Sequence, residues 1–192
     1  MTADLGVSAA LEALASAFKE LDAPAMLIGG IAVIARGVPR TTLDIDAAIW
    51  AEALDLDRAV AVFGRHGLVP RVPAARQFAQ EHQVLLLQHD ASGTPVDVSL
   101  AWLPFEREAI ARATLVDLGG ATLKVARAED LVVYKAVAWR ERDRSDIERL
   151  LLAHPGEVDL GRVRSLVAEF AALLDVPERV GEFEALLVRV AR

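Results

Sequence analysis

The segment Leu27-Ile28-Gly29-Gly30-Ile31-Ala32-Val33-Ile34-Ala35-Arg36-Gly37-Val38-Pro39-Arg40-Thr41-Thr42-Leu43-Asp44-Ile45-Asp46 decides how the rest of the chain reads. It predicts a short buried strand, a glycine turn that opens a helix, a break at Gly37-Val38-Pro39, and a second strand carrying two carboxylates. From Leu43 to Ile49 the apolar Leu43, Ile45, Ala47 and Ile49 alternate with Asp44, Asp46 and Ala48. Successive side chains of a strand point to opposite faces, so a period of two predicts both aspartates on one face. Two carboxylates on an exposed face repel each other, and the usual remedy is a hard divalent cation with oxygen ligands. Gly29-Gly30, at a strand-to-helix junction, would let backbone N–H groups come close to phosphate oxygens.

Upstream, Leu11, Leu14, Ala15, Phe18 and Leu21 have helical spacing with Ser8 as a cap, and Asp22-Ala23-Pro24 ends the helix. Downstream, Leu56, Ala59, Val60 and Phe63 predict a helix from Asp55 to about His66, closed by Gly67, and Pro70 and Pro73 mark an edge or loop. Gln83 to Gln88 reads as a strand turned by Asp90-Ala91-Ser92-Gly93 into Pro95 to Leu100. In that second strand Val96, Val98 and Leu100 alternate with Asp97 and Ser99, which places Asp97 on the polar face. It fits a third carboxylate beside Asp44 and Asp46; the alternative is an exposed hairpin aspartate. Strands at Thr114–Leu118 and Ala121–Val125, joined by Gly119-Gly120, complete the β content, and beyond Ala128 the chain turns helical. The expected organisation is an α/β core over residues 1–127 and a helical part over 128–192, packed on the core beside a cleft.

Of the 192 residues 54% are hydrophobic and none is cysteine, so the chain is a folded globule without disulfides, zinc knuckle or thiol nucleophile. Asp4 precedes any apolar run and no basic leader opens the chain, which argues against a secretory signal and for a cytoplasmic protein. The longest apolar stretch, about Ala25 to Ala35, falls far short of the ~20 residues that span a bilayer. A formal net charge of −7 argues against a general nucleic-acid coat, whose affinity comes from many phosphate contacts. Arginines do cluster at Arg36, Arg40, Arg65, Arg71 and Arg76, and again at Arg140, Arg142, Arg144 and Arg149, where solvated helix faces suffice to explain most of them.

Gly29-Gly30 followed by Arg40, Thr42 and Asp44-Ile45-Asp46 resembles the signature of the DNA polymerase β-type nucleotidyltransferase superfamily, and within it the AbiEii-type toxins of type IV toxin–antitoxin systems. The likeness extends to Asp130-Leu131, Lys135, Arg140, Asp143 and Asp146. It implies a nucleotidyltransferase fold, a small mixed sheet flanked by helices, with a helical C-terminal part. It also implies Mg2+-dependent transfer of a nucleoside monophosphate from an NTP to a hydroxyl. Asp44, Asp46 and Asp97 would hold two Mg2+ ions and serve catalysis; Gly29, Gly30, Arg40, Thr42, Lys135 and Asp146 would bind the nucleotide. The family often carries serine after the first glycine, and Gly30 lacks that hydroxyl. Lys135 and Asp146 are 11 residues apart, about three turns, and would share a face of one continuous helix. Asp143 with Asp146, or Ser145 with Glu148, could instead be a helix cap.

The implied acceptor is RNA, such as a tRNA 3′ end, with a cognate antitoxin as a protein partner and no membrane. Alternatives are transfer to a partner protein or to a small molecule such as an antibiotic, and a binding module that keeps the fold without turnover. Other chemistries lack their motifs: there is no GxxxxGK[ST], no GxGxxG after a strand, no HExxH and no GxSxG. Trp50, Trp102, Trp139 and Tyr134 are too scattered for a stacking platform and are expected in the core.

Overall fold

The computed structural model describes residues 5–191; Asp4, on which the reading against a secretory signal rests, lies outside them. The fold is mixed α/β, and its residues form two compact units. One takes in the described residues up to Ala35 together with Arg40–Ala126; the other combines Arg36–Pro39 with the described residues from Arg127 onward.

The first unit is built on a seven-stranded sheet. Its strands are β1 (Ala25–Ile28), β2 (Ile45–Trp50), β3 (Leu68–Pro70), β4 (Val84–His89), β5 (Pro95–Ala101), β6 (Thr114–Asp117) and β7 (Thr122–Val125). They lie in the order β3-β4-β5-β2-β1-β7-β6, with β2 parallel to β5, β1 parallel to β7, and the other pairs antiparallel. The helices of this unit are α1 (Leu5–Leu21), α2 (Gly29–Ala35), α3 (Leu56–Arg65), α4 (Ala75–His82) and α5 (Pro104–Arg112). α1 buries Val7, Ala10, Leu11, Leu14, Ala17, Phe18 and Leu21, the stripe expected of a helix with one apolar face. The Asp55 carboxylate caps α3 by accepting from the N–H groups of Asp57 and Arg58. In the centre of the sheet Ile45, Ala47, Ala48 and Ile49 are all fully buried, so β2 is covered on both faces. α5 packs against β2, and the strand is partly accessible only towards its two ends, at Asp46 and Trp50.

The second unit holds α6 (Ala128–Ala138), α7 (Glu141–Ala153), α8 (Leu160–Leu173) and α9 (Glu178–Val190). α6 ends at Trp139, which adopts φ +54° and donates its N–H to the Lys135 carbonyl at 2.8 Å. Trp139 meets Phe183 edge to face at 6.5 Å and has the Arg179 guanidinium 5.0 Å from its ring centre. The Arg36–Pro39 segment is held within this unit: the Arg36 carbonyl lies 2.9 Å from His154 Nε2, the Pro39 carbonyl accepts from Arg149 at 3.3 Å, and Val38 is buried. Burial lowers the affinity of the Arg36 guanidinium for its proton, and the nearby Arg127 lowers it further.

Several expectations need correction. β2 starts at Ile45, so Leu43 and Asp44 both stand outside the ladder, Leu43 is 69% exposed, and the strand carries Asp46 alone in place of the two aspartates expected on one strand face; the alternation runs on past the start of the strand. The described part of α1 starts at Leu5, so Ser8 lies inside the helix and donates to the Gly119 carbonyl. Trp102 is 62% exposed, not core. The helix expected to run through Lys135 and Asp146 is two helices, because the left-handed Trp139 reverses the backbone. α4 and α5 were not legible as helices. No helix among the described residues is long and apolar enough to cross a membrane.

Candidate active site

Strand register assembles the site. Ile28 pairs with Asp46 in β1–β2, Asp46 with Asp97 in β2–β5, and Asp97 with Leu86 in β4–β5. Pro70 pairs with Leu87, and the next residue, Arg71, donates its N–H to the Leu86 carbonyl at 3.0 Å. Arg71, Leu86, Asp97, Asp46 and Ile28 therefore form one row across the sheet. Residues directly paired across strands share a face, and neighbouring strands are about 4.8 Å apart, so the Asp46 and Asp97 carboxylates are adjacent. Both are partly accessible, while Ile45, Val96 and Val98 on the opposite face are fully buried.

Arg71 is a member of this site that sequence reasoning missed. Its Nη2 reaches Asp97 Oδ1 at 2.5 Å, and the two side chains are 34% and 31% exposed. Nothing in the sequence distinguishes this arginine from the others; the row of strand pairings does.

The glycine pair closes the other side. Gly29 has φ +63°, a conformation glycine adopts without steric cost, and a Cβ there would meet Asp46 Cβ and Cγ at 2.5 Å and Oδ2 closer still. Asp46 thus packs directly on the Gly29 backbone. At Gly30 a Cβ would meet Thr42 Oγ1 at 2.5 Å and Thr42 Cβ at 2.9 Å. The Thr42 side chain fills the space that a residue other than glycine at position 30 would need, and its hydroxyl donates to Asp44 Oδ1. Asp44 stands just before β2, in the segment leading to Asp46, and Arg40 Nε lies 3.5 Å from the Thr41 carbonyl. The first unit therefore brings together Gly29, Gly30, Thr42, Asp46 and Asp97, with Asp44 joined through Thr42.

Among the described residues no three acidic or histidine side chains are grouped as a ready-made metal cage. The donor chemistry still fits Mg2+, which keeps several waters and takes one or two carboxylates together with substrate phosphates. Asp46 and Asp97, side by side in the row with the Gly29 backbone against Asp46, supply such a pair of hard oxygen ligands.

The other candidates lie in the second unit, where they bind one another. Lys135 Nζ is 2.8 Å from Asp143 Oδ1 and 3.1 Å from Asp146 Oδ2, and all three residues are buried. Asp143 Oδ2 also accepts the Arg140 N–H at 3.0 Å, so this carboxylate caps α7 as well. The shared face expected of one helix arises instead from the corner between α6 and α7. On the first turn of α6, Glu129 and Asp130 bind Arg162 at 2.7 Å and 2.9 Å, and Glu129 also accepts the Asp159 N–H.

The solution structure of the antibiotic-resistance factor ANT(2″)-Ia is similar to this fold, with TM-score 0.58, 18% identity, and coverage of 92% of this chain and 98% of that one. The crystal structure of ANT(2″)-Ia in complex with adenylyl-2″-tobramycin gives TM-score 0.57, 19% identity, and coverage of 88% and 99%. JHP933 from Helicobacter pylori gives TM-score 0.50, 14% identity, and coverage of 93% and 79%. No curated protein matches the chain by sequence. The model of the family described as "Nucleotidyltransferase of unknown function (DUF6036)" matches residues 5–186. The chain belongs to this family and is a nucleotidyltransferase.

Proposed function

We propose that the enzyme transfers a nucleoside monophosphate from an NTP to a hydroxyl of a small cationic molecule, with Mg2+ held between Asp46, Asp97 and the triphosphate. The observation that carries the chemistry is the paired register of Asp46 and Asp97 beside the Gly29 backbone. Mg2+ bound there with the nucleotide would neutralise the charge that develops on the attacking and leaving oxygens. Asp46, packed on Gly29, has its carboxylate held in place; Asp44 adds a third acid at the strand entry, oriented by the Thr42 hydroxyl. The acceptor oxygen forms a bond to the α-phosphorus, the bond to the bridging oxygen breaks, and pyrophosphate departs. The hydroxyl proton passes to an Asp97 carboxylate oxygen, the base within this row.

A small cationic acceptor is favoured over RNA on two grounds. The net charge of −7 attracts cations and repels phosphate chains. The fold also matches ANT(2″)-Ia across nearly the full length of both chains, and one of those two structures is a complex with adenylyl-2″-tobramycin, a small molecule that carries a nucleotidyl group. The tRNA 3′ end and the cognate antitoxin implied by the AbiEii resemblance gain no support of this kind. The test offers each of four α-labelled NTPs with Mg2+ to a panel of aminoglycosides and, separately, to total tRNA. Label on an aminoglycoside, lost in Asp46→Ala, is expected. Label on RNA alone would overturn the acceptor assignment.

A further inference from the structure

Arg71 competes with an incoming cation for the Asp97 carboxylate. The Arg71 guanidinium, 2.5 Å from Asp97 Oδ1, places a positive charge beside this carboxylate, and a cation entering there meets it. Yet the same row needs a counter-charge when no metal is present, because Asp46 and Asp97 are direct neighbours in register. Arg71 suits a temporary role. Its backbone is fixed to β4 by the Leu86 carbonyl, and it stands where β3 gives way to the Pro73–Ala74 turn, with Ala74 at φ +48°. Its side chain reaches over Leu86 to Asp97, remains about a third exposed, and can swing to solvent without opening the core.

We propose that Arg71 is a displaceable counter-ion for Asp97: it neutralises the row in the metal-free enzyme, and a divalent cation takes its place on Asp97 when the site loads. This rests on the reading of Asp97 as a metal ligand given above. Arg71 is a positioning residue in this scheme, and its effect is on the affinity of the metal.

The test measures binding of Mn2+ alone to the full chain by the paramagnetic resonance signal of free Mn2+. It uses wild type, Arg71→Gln, Arg71→Lys, Asp97→Asn and the Arg71→Gln/Asp97→Asn double variant. An exposed ion pair of this kind is worth up to about a factor of five in affinity, so Arg71→Gln should bind Mn2+ about two- to fivefold more tightly than wild type. Arg71→Lys, which keeps the charge, should stay near wild type, and the gain should vanish in the double variant. A merely structural arginine would not produce a charge-specific gain in metal affinity. Equal Mn2+ affinity in wild type and Arg71→Gln, with both weakened by Asp97→Asn, would overturn the counter-ion role and leave the metal assignment standing. Mn2+ binding insensitive to Asp97→Asn in both backgrounds would overturn the metal assignment and the counter-ion role together.

Discussion

Gly29→Ala probes the packing of the site with a magnitude that the geometry supplies. At φ +63° an alanine costs about 1–2 kcal/mol in the backbone alone. The added methyl also meets Asp46 Cβ and Cγ at 2.5 Å, and because Asp46 Cβ is anchored to β2, rotating the carboxylate relieves only part of the clash. Overpacking of that kind costs about 1–3 kcal/mol more, giving a total of about 2–5 kcal/mol. Gly93→Ala is the matched control: Gly93 has φ +68°, but a Cβ there meets nothing within 4 Å, so it should cost only the backbone part. For a chain of this size the difference of about 1–3 kcal/mol corresponds to ~2–12 °C in Tm, measurable by circular dichroism melts of the two variants. Gly29→Ala should also lose nucleotidyl transfer, since Asp46 is driven from its place, whereas Gly93→Ala should keep it. Equal destabilisation by the two substitutions would refute the close approach of Asp46 to Gly29.

Three further outcomes follow from named contacts. Lys135→Met leaves Asp143 and Asp146 buried without their cation and should cost about 3–5 kcal/mol in urea unfolding; a change under about 1 kcal/mol would contradict the buried triad. Gly30→Ser should destabilise by about 1–3 kcal/mol through its clash with Thr42, and adding Thr42→Ala should recover part of it, read as a positive coupling in a double-mutant cycle. Hydrogen bonds from Arg65 and then from His66 hold the Glu20 carboxyl below its usual range. A depressed folded-state pKa stabilises above the unfolded value and loses that contribution as pH falls through the folded one. The Tm gap between wild type and Glu20→Gln should therefore be present at neutral pH and close in acid; a gap independent of pH would contradict the pairing.

The central strands and the aspartates they carry were legible because their signals are local. Alternation at Val96, Val98 and Leu100 placed Asp97 correctly on the polar face, and Gly29 has the positive φ that a glycine turn calls for. What stayed hidden depends on partners distant in sequence. Arg71 and Asp97 are 26 residues apart and meet only because β3, β4 and β5 stack in a particular register. Lys135 and Asp146 were rightly placed together but for the wrong reason, since a left-handed tryptophan is invisible to helical spacing. α4 follows Pro73 and α5 begins with Pro104, and proline reads first as a break, although it is well suited to the first turn of a helix. The absent serine at Gly30 has a structural reason that no spacing could reveal: Thr42 already occupies the space.

The account stands on Asp46 and Asp97 acting together on a metal-bound nucleotide, and thermal denaturation with each NTP tests this without knowledge of the acceptor. At a hundredfold excess over Kd a bound nucleotide adds about 2.7 kcal/mol, or ~5–11 °C for a chain of this length. The expected result is a rise in Tm with at least one NTP in the presence of Mg2+, abolished by EDTA and absent in folded Asp46→Asn and Asp97→Asn. A rise of the same size in those variants would contradict the account.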